Sequence, residues 1–215
     1  MSINDIIRTI HPSEKSLSKA KAYAALECYM AQAELSSQER ELIRPIVRYF
    51  LPAVPKRPKT VFDWIATAVA KDEVRFYLDY VYCDGEYIVG TDGHRLHMAP
   101  AMGSDYSYAP GWYLPSGHLT DDPGVEFPDY KKVIPSRENL RWINTERREP
   151  FHDSGKDTLI YRQTIDGKES AYNARYLDAA LLGGDNPKFY AADGTSPLLI
   201  TFDNDRRAVV MPMRV

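Results

Sequence analysis

The chain has 215 residues, of which 44% are hydrophobic and 27% are charged, and its formal net charge is −3. Such a length can bury one core, or one core and a small second domain, and the net charge excludes binding of nucleic acid mainly by bulk electrostatic attraction. No apolar run approaches the roughly 20 residues of a membrane span, and the polar first residues lack the apolar core of a signal peptide, so we expect a cytosolic protein.

The two cysteines, Cys28 and Cys83, are too few for a disulfide framework or for a zinc site made of cysteines. We therefore expect free thiols in a reducing compartment.

The first fifty residues have a helical pattern. Residues 16–35 contain alanine, leucine, tyrosine and methionine without proline or glycine, and residues 36–37 are serines that precede acidic residues, which is typical of a helix start. Three prolines in residues 51–60 favour an extended linker. The sequence therefore predicts a helical N-terminal module over residues 1–55 and a separate domain over residues 60–215.

After the linker the pattern changes from helix to strand. VFDWIATAVA is a short amphipathic helix, and residues 74–100 are rich in β-branched and aromatic side chains, interrupted by the turn sequences Asp84-Gly85 and Asp92-Gly93. We predict about three strands here. A similar order returns near the C-terminus, where DTLIYRQTI and KESAYN predict strands, ARYLDAALL a helix, and NPKFYAAD, SPLLITFD and RRAVVMPMRV three more strands.

The predicted fold is therefore α+β, with two halves that each consist of a helix followed by a β-meander. Residues 101–157 contain many glycines, prolines, aspartates and tyrosines and indicate no clear elements. Within them FPDYKKVIP, residues 127–135, is predicted to be an extended segment framed by prolines.

The stretch GTDGHRLHMAP raises the question of a metal or catalytic site. His94 and His97 are three residues apart, so on a strand their imidazoles point to opposite faces, and partners at ligand spacing are missing. We therefore expect no metal and no cofactor. A hydrolase that uses His94 with Asp92 is the weakest alternative, because the sequence contains no activated nucleophile.

The residues alone favour a plain hairpin turn for this stretch. Gly93 would accept a positive φ, Asp92 would bond its own backbone, and Leu96 would enter the core.

Four stretches occur in the same order as in the bacterial sliding clamp, the β subunit of the replicative DNA polymerase III. They are RFYL (75–78), TDGHRL (91–96), FPDYKKVIP (127–135) and VVMPMRV (209–215). The sequence resembles this family over most of residues 60–215, more weakly through AYNARYLDAALL, and residues 1–55 have no recognised counterpart. The resemblance implies a clamp-like, non-enzymatic domain.

In that family the four stretches surround a hydrophobic cleft into which polymerases and repair proteins insert a short linear peptide. The resemblance implies a cleft lined by Leu78, Thr91, Gly93, His94, Arg95, Leu96, Pro128, Lys132, Val133, Val209, Met211, Pro212, Met213 and Arg214. Gly93 would let the turn approach the ligand, the aliphatic residues would form an apolar floor for leucine or phenylalanine anchors, and the cations would bond the peptide. Taken singly, Leu96, Val209 and Met211 would equally suit a plain sheet core.

The chain also departs from the family. A family chain has three domains of two similar halves and closes into a ring of six domains, whereas this sequence matches only the first half of the middle domain and the second half of the last. Where the family places a polar residue and two aromatics near DNA, this chain has Asp72 before Phe76 and Tyr77, and an acidic residue there repels phosphate. The cations Lys56, Arg57 and Lys59 suit a solvated linker.

Two functions follow as expectations. The first is a processivity factor for DNA replication whose cleft binds peptides of a DNA polymerase or another DNA-processing protein, and which encircles double-stranded DNA as a homo-oligomer without strong contacts. The alternative is a clamp mimic that forms no ring and captures the clamp-binding proteins of a host. The compact size suggests a phage origin.

Overall fold

The computed structural model describes residues 58–71, 74–135, 141–142, 148–153, 156–165 and 167–213. The chain divides into two units, one formed by residues 1–54 and 147–161 and the other by residues 55–146 and 162–215. The predicted helical module lies outside the described residues, as do Lys56, Arg57 and Asp72. Most of the described secondary structure belongs to the second unit.

The fold is a mixture of short helices and antiparallel strands, as the sequence predicted. In chain order the described elements are α1 (Val61–Ala66), β1 (Val81–Cys83), β2 (Tyr87–Thr91), β3 (Arg95–Pro100), β4 (Gly111–Tyr113), β5 (Leu119–Thr120), β6 (Arg141–Trp142), β7 (Arg148–Asp153), β8 (Lys156–Ile165), β9 (Lys168–Asn173), α2 (Ala174–Leu181), β10 (Lys188–Ala191), β11 (Leu198–Thr201) and β12 (Arg207–Val210). Two 3₁₀ turns span Phe76–Asp79 and Tyr130–Val133. Within the described ranges no helix is long and apolar enough to cross a membrane.

One large sheet organises the second unit. It has nine strands in the order β5-β4-β1-β2-β3-β12-β11-β10-β6. At its centre β3 pairs with β12, and the register places Leu96 opposite Val209 and His97 opposite Ala208. Because β1 to β3 follow α1 and β10 to β12 follow α2, the prediction of two helix-plus-meander halves is confirmed, and the halves are joined at β3 and β12.

The two faces of this sheet have different neighbours. On one face Trp64 of α1 stacks on His97 of β3, with ring centroids 4.5 Å apart. Side chains alternate along a strand, so Leu96 and Met98 point to the opposite face. There they belong to a buried cluster that also contains Val209. The sheet is therefore buried on both faces around β3.

Helix α1 is short but well fixed. The Thr60 hydroxyl accepts a hydrogen bond from the Asp63 N–H, and the Asp63 carboxylate accepts one from the Thr60 N–H, both at 3.0 Å, which forms a capping box. The indole N–H of Trp64 lies 3.2 Å from the carbonyl oxygens of both Ala179 and Ala180 in α2. Because helices this short are marginal alone, packing supplies most of their stability.

A separate hairpin lies in the first unit. Strands β7 and β8 pair antiparallel from Arg148 opposite Tyr161 to Asp153 opposite Lys156. Strand β8 continues to Ile165 in the second unit, where it neighbours β9. The predicted strands DTLIYRQTI and KESAYN are thereby confirmed.

The three strands predicted in residues 74–100 are β1, β2 and β3, and RFYL lies largely in the 3₁₀ turn Phe76–Asp79 ahead of them. One local prediction was wrong, because the segment predicted as extended contains the turn Tyr130–Val133. In that segment Phe127 and Tyr130 are both buried. An extended chain would point residues three apart to opposite sides, so a turn is needed to bury both rings. The region left unassigned by the sequence, residues 101–157, contains β4, β5, β6 and β7.

Candidate functional site

The turn between β2 and β3 is closed by side chains that bond its own backbone. Asp92 Oδ1 accepts from the N–H groups of His94 and Arg95, at 2.9 Å each. Thr91 Oγ1 accepts from the Gly93 N–H at 3.1 Å, and its hydroxyl donates to the Arg95 carbonyl at 2.7 Å. Gly93 has a φ of 84°. The predicted hairpin with a positive φ at this glycine is therefore confirmed.

The stretch RFYL reaches this turn through Arg75. A Cβ atom added to Gly93 would lie 3.0 Å from Arg75 Nη2 and 3.1 Å from Nη1, so the guanidinium lies directly against the glycine. Leu78 is buried, with 2% of its surface exposed, and Tyr77 packs against the buried cluster below the turn. Because Gly93 has no side chain, the Arg75 guanidinium can lie against it. Arg75 was not among the predicted cleft residues.

Arg95 is held by two neighbours. Its Nε atom lies 3.0 Å from Asp92 Oδ2, and its guanidinium carbon lies 4.6 Å from the centre of the Tyr176 ring in α2. Only 14% of the Arg95 side chain is exposed. Tyr176 was not among the predicted site residues, although it lies in the helix ARYLDAALL, to which the family resemblance weakly extends.

The two histidines of the stretch lie in different environments. His94 is exposed on the turn, whereas His97 is fully buried. His97 Nδ1 lies 3.0 Å from the Trp64 carbonyl oxygen, which can only accept, so this nitrogen carries the proton. Burial and the positive charge of Arg95 lower the pKa of His97 to about 3, despite the hydrogen bond to Trp64. His97 is therefore a neutral core residue.

The C-terminal stretch runs alongside the turn. After β12 the Met211 N–H donates to the His94 carbonyl at 2.8 Å, and the Met213 N–H donates to the Ala171 carbonyl at 2.7 Å. Pro212, which has no N–H, falls between these two donors. Strand β12 lies between β3 and β11 and ends at Val210, so Pro212 follows the end of the strand. Arg214 lies outside the described residues.

Residues 127–135, here called the wall segment, pack against strand β1 and the turn between β1 and β2. Phe127 stacks on Tyr82 with ring centroids 4.7 Å apart. The Tyr130 hydroxyl donates to Asp84 Oδ2 at 2.8 Å. Pro128, Lys132 and Val133 of this segment are exposed. Because its inner side chains are buried, the wall segment presents the predicted contact residues outward.

All four stretches contribute to one region of the second unit. The buried cluster contains Leu96, Phe127 and Val209, and Tyr77 packs against it. The predicted residues divide by exposure: Leu78, Thr91, Leu96 and Val209 are buried, Arg95, Pro212 and Met213 are partly buried, and Gly93, His94, Pro128, Lys132, Val133 and Met211 are exposed. The buried members are thus sheet core, and the exposed apolar surface comes from Val133 and Met211, which are 42% and 36% exposed.

A cavity of about 400 Å³ lies beside β10, β11 and β12, and its lining includes Leu199 of the buried cluster. It is lined by Lys188, Tyr190, Leu199, Thr201, Phe202, Asp203, Asp205, Arg206 and Arg207. None of the fourteen predicted residues belongs to this lining. Its rim mixes three cations with two carboxylates, so its charges select no single class of ligand. In the described ranges no group of three or more histidine, cysteine, aspartate or glutamate side chains could hold a metal ion.

No family model matches the sequence, and no curated protein matches it. Among solved structures, the chain is similar to bacterial sliding clamps. A Caulobacter crescentus clamp with bound polyethylene glycol is 22% identical, with a TM-score of 0.48 and coverage of 72% of this chain and 62% of the clamp. A Pseudomonas aeruginosa clamp is 19% identical, with a TM-score of 0.48 and coverage of 72% and 64%. A Bartonella birtlesii clamp (DNA polymerase III subunit beta) bound to griselimycin is 20% identical, with a TM-score of 0.46 and coverage of 72% and 63%. The chain therefore spans less than two thirds of the length of these clamps.

Proposed function

We propose that the protein is a sliding-clamp-like replication factor that binds a short peptide of a DNA polymerase or another DNA-processing protein. The convergence of the four sequence stretches carries this proposal. Tyr77, Leu96, Phe127 and Val209 each come from a different stretch, and all four take part in one cluster of side chains. The exposed Met211 also lies beside the turn, because its N–H donates to the His94 carbonyl at 2.8 Å.

The exposed residues of this region suit a peptide ligand. Met211 and Val133 offer apolar surface for leucine or phenylalanine anchors, and the flexible thioether adapts to different side chains. Lys132, whose side chain is 81% exposed, and His94 offer polar groups to the peptide backbone. The proposed role is to bind and tether a partner, so it includes no chemical step.

The truncation Met211→Ala tests this proposal. We expect it to weaken binding of a fluorescein-labelled hexapeptide with leucine and phenylalanine anchors by about 1 to 2 kcal/mol, or roughly 5- to 30-fold in Kd, the scale of one interface anchor. Fluorescence anisotropy titration measures the change. Met102→Ala is the matched control, since Met102 is 73% exposed and lies on a different loop. A wild-type protein that binds no such peptide, or a Met211→Ala variant that binds as tightly, would contradict the proposal.

A second candidate is a decoy that offers the same peptide site without forming a ring. Asp72 favours this candidate, because it stands where the family places a polar residue near DNA and its carboxylate repels phosphate. Both candidates predict peptide binding, and they differ in assembly and in retention on DNA.

A further inference from the structure

The wall segment has an inner and an outer side. Phe127 and Tyr130 are buried, at 7% and 6% exposure, whereas Pro128, Lys132 and Val133 are exposed. The outer residues are three of those proposed to contact the peptide. Their positions therefore depend on whatever fixes the inner side chains against the sheet.

The Asp84 carboxylate bonds the middle of the segment. The Tyr130 hydroxyl donates to Asp84 Oδ2 at 2.8 Å, and the other oxygen of Asp84 accepts from the N–H groups of Glu86 and Tyr87, at 2.8 Å each. The Lys131 ammonium lies 3.2 Å from Asp84 Oδ2. Asp84 thus ties the wall segment to the turn between β1 and β2.

The protonation states support this arrangement. Burial raises the pKa of Asp84, but the hydrogen bonds from Tyr87, Tyr130, Glu86 and Lys131 outweigh it and lower this pKa to about 2. Burial and the adjacent Asp84 carboxylate raise the pKa of Tyr130. At neutral pH the pair is therefore a neutral phenol donating to an ionised carboxylate, which is a charge-assisted hydrogen bond.

The geometry of the turn links this bond to the outer residues. Tyr130 begins the 3₁₀ turn that ends at Val133. The turn is only four residues long, so the backbone path from Tyr130 to Lys132 and Val133 is short. Fixing Tyr130 at the start of the turn therefore fixes the backbone from which Lys132 and Val133 project outward.

We propose that Tyr130 and Asp84 are positioning residues, which hold the wall segment in the conformation that presents Val133 and Lys132 to the peptide. This inference rests on the proposed function. It assigns no peptide contact to either residue, because Tyr130 is buried and Asp84 acts through it.

Tyr130→Phe tests the inference, because it removes the hydroxyl and keeps the ring. We expect the Kd for the labelled hexapeptide to rise about three- to tenfold, as for loss of one hydrogen bond to a charged group that acts indirectly. Tyr113→Phe is the matched control: Tyr113 is also 6% exposed, and its hydroxyl donates to the Ala109 carbonyl at 2.7 Å, away from the wall segment. This control should lose stability and keep the wild-type Kd.

Hydrogen exchange adds a measurement that does not depend on peptide. The amide of Lys132 bonds to the Asp129 carbonyl and that of Ile134 to the Lys131 carbonyl. Both amides should exchange faster in Tyr130→Phe than in Tyr113→Phe. In a double-mutant cycle, Asp84→Asn combined with Tyr130→Phe should weaken binding by less than the product of the two single effects.

The outcomes separate the two proposals. If the wild-type protein binds the peptide and Tyr130→Phe binds equally well, the positioning role is overturned and the proposed function stands. Equal losses in Tyr130→Phe and Tyr113→Phe would also overturn it, because the effect would then be general destabilisation. A wild-type protein without peptide affinity overturns the proposed function and the inference together, even if exchange at Lys132 responds as expected.

Discussion

Substitution of Gly93 is constrained both by its backbone conformation and by a side chain that lies close to its Cα. Its φ is 84°, and an added Cβ would meet the Arg75 guanidinium at 3.0 Å. Gly93→Val should therefore lower the free energy of unfolding by about 1 to 3 kcal/mol and weaken peptide binding, since a β-branched residue at positive φ is strained. Chemical denaturation and the peptide titration measure both effects.

Gly124 provides the control for this substitution. It also has a positive φ, of 75°, but an added Cβ would meet nothing within 4 Å. Gly124→Val should show the backbone strain alone and leave peptide affinity unchanged. Unchanged stability and affinity in Gly93→Val would mean that the turn and Arg75 do not constrain each other as described.

His97 makes the stability of the fold sensitive to acid. Its folded pKa of about 3 lies below the ordinary value of 6.5, so between these values the unfolded chain binds a proton that the folded protein does not. Stability should therefore fall as pH drops below 6.5, by about 2 kcal/mol at pH 5 from this residue. Urea unfolding at pH 7.5 and pH 5.0 measures the loss.

A variant isolates this contribution. His97→Gln retains a hydrogen-bond donor for the Trp64 carbonyl but does not titrate, so the difference in stability between the two pH values should shrink by about the same amount. His97 Nε2 has no hydrogen-bond partner within the described structure, so a protonated ring would also bury an unpaired donor. An equal pH dependence in both proteins would show that His97 is accessible to protons when folded.

Some contacts of the candidate site could be predicted from neighbouring residues in the sequence, and others could not. Asp92 and Gly93 form a turn from their own types and spacing, so the sequence was sufficient there. The Tyr130–Asp84 bond joins residues 46 positions apart, and the Arg95–Tyr176 contact joins a turn to a distant helix. Neither contact has a local signal, because each depends on the completed sheet.

At the scale of elements, periodicity predicted which segments form strands better than where the strands lie. RRAVVMPMRV was predicted to be a strand, and its strand, β12, lies in the centre of the sheet although the stretch contains Pro212. A proline is excluded from a central strand only where its N–H is needed. Here the strand ends at Val210, and the Met211 and Met213 donors on either side of Pro212 are satisfied by His94 and Ala171.

The sequence pattern also did not predict the path of the wall segment. Its prolines and alternating residues predicted extended chain, but burial of Phe127 and Tyr130 on one side requires a turn. Tertiary packing therefore overrides the local preference at this point. For the candidate site, the sequence indicated which stretches converge, whereas only the structure shows that Leu96 and Val209 are core and that Met211 and Val133 are accessible.

At the scale of the whole molecule, strands β5 and β6 are the outermost strands of the nine-stranded sheet within the described residues. Strand β5 carries Leu119, which is 57% exposed. Edge strands present unpaired backbone groups that can pair with another chain. A ring of this protein would therefore require several chains joined through surfaces such as these.

The ring model makes a prediction about DNA. With a formal net charge of −3, strong attraction to phosphate is not expected, so retention on DNA has to be topological. The mass in solution should be several times 24.5 kDa, and the loaded protein should stay on nicked circular DNA and leave after the circle is linearised. Retention on the circle should change little with salt, whereas direct phosphate contacts would weaken steeply. A mass of one or two chains, together with equal dissociation rates from circular and linear DNA, would remove the ring and favour the decoy, because a decoy needs the peptide site and no enclosed channel.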